Sequence, residues 1–208
     1  ALMVEKINSI APVVDSQGGM LRPISSGFHV SASVWSYASG HKHLGIDLAA
    51  PVGTSIVAPA NGIVIATYTG CATYGGLSNT CGMGYGNYVL MMVRDSGSTY
   101  GALYGHMQSG GVLVGVGQSI SQGQVIGRVG SSGTSTGPHV HGELFYLGTD
   151  SVQETYDRWY SGSKNIQFGL GGSSWGNEYS NRCDVKGYSA NCRMNPSSYW
   201  GLYVGNSH

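Results

Sequence analysis

The chain holds an imidazole and a carboxylate four residues apart in His43-Leu44-Gly45-Ile46-Asp47, and two imidazoles two apart in His139-Val140-His141. A spacing of four returns a side chain to the same face in a helix or a strand, so His43 and Asp47 can converge on one ion. Gly45, Ile46 and the downstream Pro51 favour the extended form. In a strand, residues two apart share a face, which aligns His139 with His141 and puts Glu143 next in line. His106, in Tyr104-Gly105-His106-Met107, follows a further strand-like run. Four imidazoles and a carboxylate suit a mononuclear metal site: three ligands hold Zn²⁺, water takes the open position, and two histidines are left for proton transfer. An HxH or HxxxD pair alone is more often accidental, and the weight lies in their co-occurrence.

The elements that must carry these residues read as strands. Between Gly45 and Leu147, short apolar runs at residues 55–58, 62–66, 88–93 and 124–129 are separated by Gly, Pro, Asn and Ser, and none sustains a 3.6-residue period. An antiparallel β-sheet core follows, with turns at residues 94–97 and 121–123. Residues 3–10 are expected to form a short helix. Residues 148–192 turn to Gly, Ser, Asn, Tyr and Trp, with one helix expected at 152–160 and an aromatic group of Trp159, Phe168 and Trp175 serving packing or binding.

Composition excludes other classes. Of 208 residues 35 are glycine, and charged residues make up only 10% against roughly 25% in ordinary soluble domains, so a helical bundle or coiled coil is ruled out. Apolar residues reach 41%, enough for one sizeable core, but no run is long enough to span a bilayer. Ten basic and ten acidic residues balance, with no Lys/Arg run, which argues against nucleic acid as a partner. Residues 1–4 lack the basic start and long apolar stretch of a signal segment, which decides nothing about compartment.

Four cysteines form two local pairs, Cys71 with Cys81 and Cys183 with Cys192. Neither is a CxxC, and the spacings are too long for a four-Cys zinc knuckle, so loop-closing disulfides are expected. Each removes roughly 3 kcal/mol of denatured-state freedom in the chain-entropy view. An extracellular, oxidising compartment follows, and a thiolate hydrolase is disfavoured.

With its flanks included, the sequence resembles the M23 zinc metallopeptidases, the lysostaphin-like or gamma-lytic peptidases. The matching text is His43-Leu-Gly-Ile-Asp47-Leu-Ala-Ala-Pro-Val-Gly-Thr, Ala58-Pro-Ala-Asn-Gly62, Gly86-Asn-Tyr-Val89, Tyr104-Gly-His106, Gly123-Gln-Val-Ile-Gly127 and Gly130-Ser-Ser-Gly-Thr-Ser-Thr-Gly-Pro-His139-Val-His141. The resemblance runs from about Leu21 to Leu147 and resumes at Asn195-Pro196. It implies a mainly β, duplicated-hybrid-motif core and one Zn²⁺ per chain held by His43, Asp47 and His141. It makes His106 and His139 the catalytic pair, His139 the better candidate for the base, and gives Tyr37, six residues before His43, a place facing the transition state.

The domain plan is an N-terminal extension at 1–20, a peptidase core at 21–147, an insertion with a disulfide at 148–192, and a segment completing the core at 193–208. Gly142 stands where relatives carry a bulky apolar residue, which is expected to loosen packing behind the ligand. Glu143 reads either as an acceptor orienting a ligand or as a strand-edge charge. His29, His41 and His208 match no family position, and His41 is expected to be solvated. The implied function is cleavage of peptide cross-links or stem peptides in bacterial peptidoglycan by a monomer, secreted or periplasmic, with no membrane span. The alternative is an inactive module that binds and activates another wall hydrolase. Such modules lose zinc ligands, and this chain keeps them.

Overall fold

The computed structural model describes residues 5–162, 164, 166–168 and 179–202. Its strands are β1 (His29–Ala32), β2 (Trp35–Ser36), β3 (Lys42–His43), β4 (Ile46–Ala49), β5 (Ser55–Val57), β6 (Asn61–Tyr68), β7 (Asn87–Asp95), β8 (Ser98–Val112), β9 (Ser119–Ile120), β10 (Val125–Val129), β11 (His139–Tyr146) and β12 (Cys192–Arg193). Ten of them form one sheet along the path β1-β4-β11-β8-β7-β6-β9. On its flanks β12 joins β11, β10 joins β8, and β5 joins β10. The strands β2 and β3 make a separate hairpin. All the strand pairings are antiparallel. The expected mainly β, antiparallel core is thus present.

The run 88–93 is continuously apolar because both faces of β7 are covered. Val89, Met91 and Val93 enter one core cluster with Ile46, Leu48, Val64, Val140 and Leu144, while Tyr88, Leu90 and Met92 enter a second with Ile65, Leu103 and Phe145. A period of two with both faces buried gives an unbroken apolar string. Ser96 and Gly97, both at positive φ, close the β7–β8 hairpin, as a two-residue turn between right-twisted strands requires.

The helix α1 (Val152–Ser161) is capped by Ser151, whose side chain accepts from the Glu154 N–H, and it lays Tyr156 and Trp159 on the second cluster. Phe168 joins them, 4.9 Å from Phe145, so the aromatic residues described in this region serve packing. Trp175 and His208 lie outside the described residues.

The helix expected over residues 3–10 is absent from its described part, 5–10. There the backbone donors turn to α1 instead: the Ile7 N–H to the Tyr156 hydroxyl at 2.8 Å and the Ile10 N–H to Gln153 Oε1 at 3.0 Å. Ile7, Ile10 and Val13 thereby pack on the second cluster. Both local disulfides are formed, Cys71–Cys81 and Cys183–Cys192. Met194, Trp200 and Leu202 complete the first cluster.

Candidate metal centre

Register brings the chemistry together. On β4, Ile46 and Leu48 enter the first cluster, which turns Asp47 to the opposite face. On β11, Val140 and Leu144 do the same, leaving His139, His141 and Glu143 on the face that carries Asp47. In the ladder His141 stands opposite Asp47 on one side and Gly105 on the other. His43 ends β3, where it pairs with Trp35 of β2. The link from β3 to β4 passes so close to β11 that a Cβ on Gly45 would lie 2.4 Å from the Gly142 carbonyl oxygen and 2.9 Å from the His141 ring. Only glycine fits there.

Three atoms converge as a result. His43 Nε2 lies 3.1 Å from Asp47 Oδ1 and 3.1 Å from His141 Nδ1, and His141 Nδ1 lies 2.8 Å from Asp47 Oδ1. The outer ring nitrogens fix what these atoms are. His43 Nδ1–H donates to the Ser33 carbonyl at 2.7 Å, and His141 Nε2–H donates to Glu143 Oε1 at 2.9 Å. In the neutral rings the inward nitrogens are therefore lone pairs, facing each other and a carboxylate oxygen. Three buried acceptors with no hydrogen among them call for positive charge, from a proton on a ring or from a metal ion held between them. Among the described residues, His43, Asp47 and His141 form the group able to hold a metal ion.

The electrostatics carry the same demand. Burial opposes charge on His141, but hydrogen bonding to Asp47 and Glu143 outweighs it and raises the ring to about 9. Burial likewise opposes charge on Asp47, yet His141 and His43 hold it far below the usual carboxylate range. Glu143 is fully buried, so it is no strand-edge charge. Its Oε2 accepts from Arg193 Nη1 at 2.5 Å and its Oε1 accepts from the Tyr85 hydroxyl at 2.9 Å. Burial opposes its ionisation, but Arg193 and His141 prevail and hold it at about 2. A ligand imidazole whose second N–H is given to a carboxylate or a backbone carbonyl is the usual outer arrangement of metal sites.

His106 and His139 flank this triangle without joining it, their ring centroids 4.6 Å apart. His139 Nε2 is 3.7 Å from Asp47 Oδ1. Each gives its Nδ1–H to a backbone carbonyl, His106 to Ser132 at 2.6 Å and His139 to Gly137 at 2.8 Å. His106 sits at φ 60°, uncommon for a residue with a side chain, at a break in the β7–β8 register. Burial first, then the neighbouring imidazoles, lowers His106 to about 3. Burial lowers His139 as well. The carbonyl partners ride on the loop after β10, which the Cys71–Cys81 loop braces: the Gly75 N–H donates to the Ser131 carbonyl and the Ser131 N–H to the Thr73 carbonyl, each at 2.8 Å.

The sequence profile of peptidase family M23 matches residues 41–153, more than half of the chain. The chain belongs to peptidase family M23. It is 37% identical over 106 residues to the peptidoglycan DD-endopeptidase ShyA of Vibrio cholerae, a match covering 51% of this chain and 21% of that protein. It is 39% identical over 101 residues to the DD-carboxypeptidase/endopeptidase Mpg of Neisseria meningitidis, covering 49% of this chain and 19% of that protein. The chain thus spans about a fifth of the length of these curated relatives. Among solved structures, the catalytic domain of the prophage-encoded M23 protein EnpA from Enterococcus faecalis is 32% identical with a TM-score of 0.47, covering 64% of this chain and 92% of that one.

In this M23 chain the Tyr37 ring packs on that of His43, centroids 4.1 Å apart and planes tilted by 31°, and burial, with Asp47 and Glu143, pushes its hydroxyl pKa up. The expected loosening behind Gly142 does not occur. A Cβ there would lie 2.8 Å from Trp200, so the indole of the C-terminal segment fills the space a larger residue would take. His41 is exposed, bonded to Ser39, and His29 is exposed too. Sequence reading missed Arg193, Tyr85 and the Ser33 carbonyl. Only the position of Arg193 beside a disulfide cysteine hinted that its segment is anchored.

Proposed function

We propose that the chain is a zinc endopeptidase that hydrolyses peptide cross-links or stem peptides of bacterial peptidoglycan, working outside the cytoplasm. The observation that carries this reading is the triangle of His43 Nε2, Asp47 Oδ1 and His141 Nδ1 with two unligated imidazoles beside it. Two imidazole nitrogens and one carboxylate oxygen are a donor set suited to zinc, whose tetrahedral ligand atoms stand roughly 3.3 Å apart at bond lengths of about 2.0–2.1 Å. When bound, Zn²⁺ supplies Lewis-acid polarisation of the scissile carbonyl and a water acidic enough to be a nucleophile near neutral pH.

The remaining roles fall to the chain's own groups. With Nδ1–H committed to Gly137 and Ser132, His139 and His106 each present an unprotonated Nε2. His139, nearer the triangle and partly open to solvent, takes a proton from water and returns it to the leaving amine. His106, kept neutral by burial, sits beside it as the second acceptor. Tyr37 stays protonated and offers its O–H to the oxyanion that develops on the carbonyl. Retention of all these groups supports an active peptidase over an inactive binding module.

The name of ShyA, a peptidoglycan DD-endopeptidase, supports the substrate class, and that of Mpg, a DD-carboxypeptidase/endopeptidase, supports the peptidase reaction. Two disulfides support an oxidising compartment, and no helix among the described residues is long and apolar enough to cross a membrane. The test is digestion of purified peptidoglycans of defined cross-bridge, with mass analysis of the fragments. New amine termini at a peptide bond, abolished by a chelator and restored by Zn²⁺, are expected. Intact cross-links and stems with every substrate would refute the reading.

A further inference from the structure

Arg193 is fully buried, yet among the described residues only its Nη1 has an acceptor, Glu143 Oε2, while Nε and Nη2 are buried with no hydrogen-bond partner there. Its guanidinium carbon lies 4.6 Å from the centroid of the Phe145 ring. Burying an ion pair costs several kcal/mol per ion in lost hydration, and apolar residues of similar volume often do as well or better. A pair whose arginine is left partly unsatisfied is a poor device for stability alone.

The other side of Glu143 explains the placement. Its Oε2 is held by Arg193, and its Oε1 receives the His141 Nε2–H and the Tyr85 O–H, both at 2.9 Å. A carboxylate held at both oxygens cannot rotate, and it fixes the His141 ring with Nδ1 toward Asp47 and His43. Arg193 is delivered by a segment beyond residues 41–153, which the family profile matches. The neighbouring Cys192 is bound to Cys183, while the Arg193 N–H donates to the Asn181 carbonyl at 3.0 Å and Arg193 pairs with Phe145 in the β11–β12 ladder.

We infer that Arg193 is a positioning residue for the metal centre: brought in by the disulfide-closed C-terminal segment, it locks Glu143 and, through Glu143, sets His141 for ion binding. This rests on the metal-site reading above. A plain core ion pair makes a different prediction, namely lost stability with unchanged affinity for the ion.

The test is Zn²⁺ affinity by competition with a chromophoric chelator, together with the visible spectrum of the Co²⁺-substituted protein and urea unfolding of the metal-free protein. The proteins are wild type, Arg193→Met, Arg193→Lys and, as a stability control in the second core cluster, Val152→Ala. Arg193→Met is expected to weaken Zn²⁺ binding by about tenfold to a hundredfold and alter the Co²⁺ spectrum, the scale usual for outer-sphere partners. Arg193→Lys should restore most of the affinity, and Val152→Ala should unfold at lower urea with wild-type affinity. Arg193→Met binding Zn²⁺ within twofold of wild type would overturn the inference. Should that variant yield no folded protein, the Cys183→Ser/Cys192→Ser double variant, which frees the delivering segment, is judged by the same criterion. A wild type without affinity for Zn²⁺ would take down the proposed function as well, whereas wild-type binding with an indifferent Arg193→Met takes down this inference alone.

Discussion

Asp47 and His141 stand directly opposite each other on neighbouring antiparallel strands, with Asp47 Oδ1 2.8 Å from His141 Nδ1. The pairing ties the candidate metal centre to sheet register, because a slip of one residue in either strand would turn its side chain to the opposite face and part the two. The charge of Asp47 can be separated from its shape. Asp47→Asn keeps the volume and one oxygen acceptor but removes the anion, and it is expected to lower Zn²⁺ affinity by tenfold or more with the circular dichroism of the sheet unchanged. Chelator competition measures this, and unchanged affinity would show that the carboxylate is not a ligand.

Ligands and proton carriers should part company. His106→Ala and His139→Ala are expected to keep their metal and lose at least roughly a hundredfold in turnover, the scale of general acid–base groups. His141→Ala should lose both. If metal and activity fell together in all three, the roles would be misassigned, and activity surviving in all three would favour a binding module.

HxxxD and HxH were legible in the sequence because a strand's period of two needs no partner to predict which side chains share a face. What lay hidden depends on distant chain segments. Arg193 meets Glu143 only because β12 pairs with β11, and the Trp200 indole that fills the space at Gly142 arrives from the C-terminal segment. The positive φ of His106 gave no signal, since it falls on the histidine and not on the neighbouring Gly105; a Cβ at Gly105 would lie 2.8 Å from the Tyr85 carbonyl oxygen. The helix expected over residues 3–10 fails in its described part because the Ile7 and Ile10 N–H groups bond to Tyr156 and Gln153 of the distant α1, a contact that no local pattern announces.

Acid should unmask His106. Its pKa is lowered from 6.5 to about 3 in the folded chain, so the unfolded chain binds the extra proton first as the pH drops. The stability linked to this ring is present above pH 6.5 and lost as the pH falls from 6.5 toward 3. In metal-free protein the melting temperature of wild type relative to His106→Asn is expected to decline across that window. The decline should already show above pH 4.5, where Glu143, lowered from 4.5 to about 2, does not yet contribute. A difference independent of pH would contradict the burial of a neutral ring.

Gly45→Ala tests the close approach that sets the triangle. Its added Cβ would meet a backbone oxygen at 2.4 Å, so the link between β3 and β4 must move away from β11. The expected cost is about 1–3 kcal/mol in urea unfolding, with reduced metal content. Wild-type stability and metal content together would show that the approach is looser than described.

The most direct test of the central claim is zinc content by elemental analysis after dialysis at neutral pH, in wild type and in His43→Ala. About one zinc per chain in wild type and almost none in the variant are expected. Little or no zinc in wild type, or an undiminished content in His43→Ala, would contradict a centre built from His43, Asp47 and His141.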